Sequence, residues 1–65
     1  MDKLMQILFE TTRTEYDELI WMMQHSDESA EKIEEQRARF KTAYGIIEQA
    51  GLEFEYADWL EEKTK

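Results

Sequence analysis

Cysteine and proline are absent from the 65-residue chain, glycine occurs only at positions 45 and 51, and His25 is the lone histidine. Without cysteine there can be no disulfide. With one imidazole and no thiolate, a structural zinc site has almost no ligands to draw on. Without proline, helices must be ended by capping groups and glycine. No apolar run reaches membrane-spanning length, and Met1-Asp2-Lys3-Leu4 lacks the basic-then-apolar order of a signal peptide. A cysteine-free chain of this kind is expected in the cytoplasm, with no membrane contact.

What is present is acid. Sixteen Asp and Glu oppose eight Lys and Arg, a formal net charge of −8. Such a charge favours solubility and a protein partner with a basic surface, and it disfavours direct binding to nucleic acid or an anionic membrane. Eight aromatics and 42% hydrophobic residues are too many for a disordered acidic tail. A chain this short nevertheless buries only ~60% of the surface it exposes when unfolded. With disulfide and zinc removed, a second copy or a docked partner is the remaining way to enlarge the core.

Periodicity predicts an all-α fold in a single domain, 1–65. Helix 1 is expected over about 2–24, where Leu4, Met5, Leu8, Phe9, Thr12, Tyr16, Leu19 and Met23 share a face that weakens at Thr11, Thr12 and Glu15. Helix 2 is expected over about 27–50, capped by Ser26 or Asp27, with Ile33, Arg37, Phe40, Ala43, Tyr44 and Ile47 inward. Asp27, Glu28 and Glu31 would place negative charge at its positive end. Gly51 suits a left-handed cap with Leu52 packing back on Ile47. Gly45, inside the helical pattern, costs ~1 kcal/mol there relative to alanine; close approach of another backbone would account for it, and so would chance. Residues 53–63 read as a short third helix, since a lone strand would leave its backbone unpaired.

A short connection makes helices 1 and 2 an antiparallel hairpin on which the C-terminal helix packs, and dimerisation into a helical bundle would complete the core. The fold-back pairs residues whose numbers sum to about 52: Phe40 with Thr12, Tyr44 with Leu8, Ile47 with Met5 and Ile33 with Leu19. It also sets Glu15 opposite Arg37, a candidate ion pair that fixes register.

Catalytic chemistry finds little material. His25-Ser26-Asp27 holds three triad residue types, but neighbours in a tight turn point apart, and a polar interhelical turn explains them better. Glu31, Glu34 and Glu35, or His25 with Asp27 and Glu28, lack the Glu-x-x-His pairs of helical metal sites and read as a solvated face. The chain is therefore expected to be non-enzymatic, with no cofactor and no metal.

Charge is segregated along the chain: residues 14–35 carry eight acids and one base, residues 42–62 six acids and no base, and 36–41 three bases and no acid. Ile7, Trp21 and Ile46 fall off the inward stripes, with Ile20 and Met22 at their edges. These observations predict an acidic protein-binding module, a regulator or inhibitor that occupies a cationic, nucleic-acid-binding type of surface on a partner. Trp21, Met22, Asp17 and Glu28 would form one part of its site and Trp59, Glu55 and Asp58 another. Phage and plasmid genomes, where blocking a host protein is useful, are a natural setting by analogy. The competing expectation is a homo-oligomeric module, most simply a dimer, with a structural or adaptor role and with Ile7, Ile20 and Ile46 in the self-interface.

Overall fold

The computed structural model describes residues 2–25 and 29–63. Among these residues there are three helices: α1, Lys3–Gln24; α2, Ala30–Gln49; and α3, Glu53–Lys63. The first two form the expected hairpin, and α3 folds back on it. The body measures 39 × 27 × 17 Å.

Each helix end has a local cause. The Asp2 carboxylate accepts from the Leu4 N–H at 3.3 Å and opens α1. Helix α2 begins at Ala30, three residues later than expected, because the Ser29 hydroxyl accepts from the Lys32 N–H at 3.2 Å. Ser26, Asp27 and Glu28, also expected to cap or charge this end, lie outside the described residues. At the other end of α2, Gly51 adopts φ 69°, a left-handed value that favours glycine. There Leu52 N–H donates to Ile47 C=O at 2.9 Å and Gly51 N–H to Glu48 C=O at 3.1 Å, the paired bonds of a Schellman ending. Leu52 packs against the core that contains Ile47, as expected.

The core lies where the three helices meet. Phe9 and Ile47 are fully buried, with Tyr56 and Trp59 beside them. Full burial of a side chain such as Phe9 contributes about 1.5–3 kcal/mol. Phe9 stands 5.2 Å from Tyr56 and 5.8 Å from Trp59, centroid to centroid. The ring contacts continue from Tyr56 to Tyr44 at 6.1 Å, Tyr44 to Phe40 at 5.8 Å and Phe40 to Tyr16 at 5.3 Å. Six of the eight aromatics thus form one connected set, which leaves Trp21 and Phe54 outside it.

Polar positions in the hairpin seam are satisfied internally. Thr12 is fully buried, and its hydroxyl donates to the Leu8 C=O at 2.8 Å. The register contact differs from the expected Glu15–Arg37 pair. Gln36, buried on α2, donates its Nε2 to both the backbone carbonyl and the carboxylate of Glu15, each at 2.8 Å. Arg37 turns aside to Glu34 on its own helix, 2.8 Å away and well exposed, a pair worth at most ~1 kcal/mol. Register is therefore set by an amide one position from the expected guanidinium. The predicted numerical sum holds, since 15 and 36 add to 51.

Two further expectations about stability follow from this packing. Nothing lies within 4 Å of a Cβ built on Gly45, so no close backbone approach accounts for that glycine. Gly45→Ala should stabilise the fold by about 0.5–1 kcal/mol, read as a higher urea midpoint at unchanged slope. Burial, reinforced by the charge of Asp17 and opposed by that of Arg13, raises the Tyr56 phenol above its ordinary value. A raised folded-state pKa means the stabilisation is complete below about pH 10, the unfolded value, and is lost as pH rises through the folded one. Alkaline melting curves should show that loss, and Tyr56→Phe should flatten it.

Candidate functional site

Once α3 has closed one side of the hairpin, two surfaces stand out. The first is built on the outer side of α1 around Trp21, which is 49% exposed. Its indole stacks on the His25 imidazole at 3.9 Å and 21° between planes. His25 is itself fixed at the helix end by Nδ1, which donates to the Trp21 carbonyl over 2.7 Å. His25 lies one turn beyond Trp21. On the other side, one and two turns back, Thr14, Asp17 and Glu18 line with Trp21 a depression of about 400 Å³. Arg13 lies 3.7 Å from the Asp17 carboxylate but leaves that group 66% exposed. The indole is thus held from one side and open toward carboxylates on the other.

The second surface is a groove of about 610 Å³ between α1 and α2, on the side away from α3. Leu4 and Ile7 on α1 and Ile46 on α2 line it at 74%, 50% and 50% exposure. Thr11, Thr42 and Ala38 continue the lining. Toward the interhelical turn, Glu15 and Arg39 stand on opposite walls, and beyond them come Glu18 and Met22 of α1 and Lys32 and Glu35 of α2.

These surfaces regroup the residues singled out from the sequence. Trp21 and Asp17 converge, joined by Glu18, which the sequence reading does not single out, and Met22 lies at the edge of the groove. Glu28 is outside the described residues. Trp59 is corrected from a binding residue to a core residue: it is 5% exposed, packed on Phe9, with the Lys63 ammonium 5.5 Å from its ring centre. The helical spacing of Leu52, Tyr56, Trp59 and Leu60 carries it inward. Glu55 and Asp58 remain on the exposed side of α3, and Phe54, 82% exposed, is the aromatic that accompanies them. The sequence signal for Phe54 was its place opposite the 52–56–59–60 stripe. Of the three isoleucines expected in a self-interface, Ile7 and Ile46 meet in the groove. Ile20 is half-buried and sits about 140° around the helix from Ile7, so it belongs to a different side.

Among the described residues no group of three or more His, Asp or Glu side chains is placed to hold a metal ion, and no helix is long and apolar enough to cross a membrane. Comparison with family models, with curated protein sequences and with solved structures gave no match.

Proposed function

We propose that the chain is a non-enzymatic, acidic protein-binding module that occupies a cationic surface of a partner protein and thereby regulates or inhibits it. The observation that carries this reading is the Trp21 depression, where a half-exposed indole backed by His25 opens toward Asp17 and Glu18. An aromatic face beside carboxylates suits a lysine or arginine side chain, which gains cation–π attraction worth ~0.5–2 kcal/mol together with ion pairing. The surplus negative charge of the whole chain would speed the encounter with a basic surface.

The test is affinity capture on the immobilised chain at low salt, with Trp21→Ala and the pair Asp17→Asn, Glu18→Gln as controls. A specific basic partner should be retained by the wild type, lost from both variants, and released near 1 M salt, where the screening length falls to about 3 Å. Capture that both variants retain would remove the reading.

A further inference from the structure

Helix α1 arranges the surroundings of Trp21 in a way that distinguishes one cation from another. Side chains on a helix lean toward its N-terminus, so His25 lies over the indole, and the indole lies over the turn that carries Asp17 and Glu18. At about 100° per residue, Asp17 stands about 40° to one side of Trp21 and Glu18 about 60° to the other, with Thr14 between them a turn further back. The depression of about 400 Å³ therefore has an aromatic roof, a carboxylate on each flank and a hydroxyl at its far end. Its lining includes two acids and no base.

Both carboxylates are available. Arg13 lies on the far side of Asp17, and its Nε, 3.7 Å from Oδ2, is beyond hydrogen-bond reach, so the Asp17 oxygens still have lone pairs to offer. Lys32 and Arg39 border Glu18 in a neighbouring hollow, yet among the described residues neither comes within ion-pair distance of it. The indole is half-exposed, with one face taken by the imidazole at 3.9 Å. Two carboxylates and an open aromatic face thus converge on one place.

The shape of that place selects between the two basic side chains. A lysine ammonium is a compact, strongly hydrated point charge, and at a half-open site it keeps most of its water. An arginine guanidinium is flat and weakly hydrated, stacks on an aromatic face, and carries five N–H donors in its own plane. Laid against the open face of the indole, it directs those donors sideways, toward Asp17 on one flank and Glu18 on the other. Stacking and ion pairing then use different parts of the same group, which an ammonium cannot arrange.

We infer that the Trp21 depression is an arginine site: one arginine side chain of the partner layers on the indole, opposite His25, and bridges Asp17 and Glu18. The assignment rests on the proposed binding of a basic surface and narrows it to the residue that is recognised. His25 acts as a positioning residue, holding the indole from behind.

Two capped five-residue peptides of equal charge test it, one all lysine and one with arginine at its centre, titrated into the isotope-labelled full chain at low salt. The arginine peptide should bind about two- to fivefold tighter, the size of an exposed cation–π contact. Its arginine δ-methylene resonances should move upfield, as the ring current of a stacked indole requires. Trp21→Ala should abolish the advantage, and the pair Asp17→Asn, Glu18→Gln should weaken both peptides. His25→Ala should reduce the advantage, and His25→Phe, which keeps a flat ring, should preserve it. All four residues are exposed, so these variants leave the core intact. Equal affinities that both fall in Trp21→Ala would overturn the arginine assignment and leave the reading of a basic partner standing. An advantage that survives in Trp21→Ala would place the arginine elsewhere and overturn it too. No binding of either peptide to the wild type would remove both.

Discussion

Replacing Trp59 by alanine should leave the chain largely unfolded at 25 °C, whereas the same change at Trp21 should cost about 1 kcal/mol or less. Trp59 is 5% exposed and packed against Phe9 and Tyr56, at 5.8 Å and 6.1 Å between ring centres. Truncating such a residue costs about 3–5 kcal/mol, because the transfer term is lost and a cavity is left. A single core in a domain this small rarely supplies more than about 3–5 kcal/mol in total. The loss is therefore comparable to the whole stability. Far-ultraviolet circular dichroism in a urea series reads both variants directly. Comparable losses at the two tryptophans would mean that α3 does not close the core.

Gln36→Glu should be nearly as damaging, and its effect should depend on pH. The substitution preserves shape but exchanges the buried donor for a carboxylate. That carboxylate faces the Glu15 carbonyl and carboxylate, which now accept from Gln36 Nε2 at 2.8 Å each. An uncompensated buried charge costs about 3–5 kcal/mol. Burial and the Glu15 charge would both raise the pKa of the new carboxyl above its unfolded value, about 4.3. The penalty is then absent below that pH, where both states are protonated, and grows as pH rises through the folded value. Measured against the wild type at each pH, the variant should approach it near pH 4 and separate from it by pH 7. Gln36→Leu, which removes the donor without adding charge, should cost about 1–2 kcal/mol at pH 7. Arg37→Ala should matter little, and exchanging the charges of Glu15 and Arg37 should rescue nothing, because those side chains do not meet.

The contrast between Gln36 and Arg37 shows how far the sequence could be read. The hairpin was legible because Phe9, Thr12 and Leu19 on one helix and Ala43 and Ile47 on the other repeat at helical spacing, and because Gly51 has one natural use. The same spacing passes through 36, 40, 43 and 47, so the place of Gln36 was available to reading. A guanidinium facing a glutamate is simply the louder signal, although it is the one better able to reach solvent. The start of α2 was not legible, since Ser26, Asp27 and Ser29 are all competent caps and local chemistry does not rank them. Nor was the division of the tryptophans. Trp21 and Trp59 each sit among acids, and only the direction in which α3 folds back buries one and leaves the other half-exposed. Ile7 and Ile46 fall off the inward stripes of the sequence, whereas Leu4, which completes their groove, lies on one. A stripe with apolar residues on more than one side does not reveal which side its partner takes.

The central claim is that α3 closes one side of the hairpin within a single chain and leaves the opposite groove open. Acrylamide quenching of Trp21→Phe, in which Trp59 is the only fluorophore of its kind, tests this most directly at concentrations where sedimentation finds a monomer. Blue-shifted emission with strong protection from the quencher is the predicted result. Red-shifted, freely quenched emission, or protection that arises only when the chain self-associates, would contradict it.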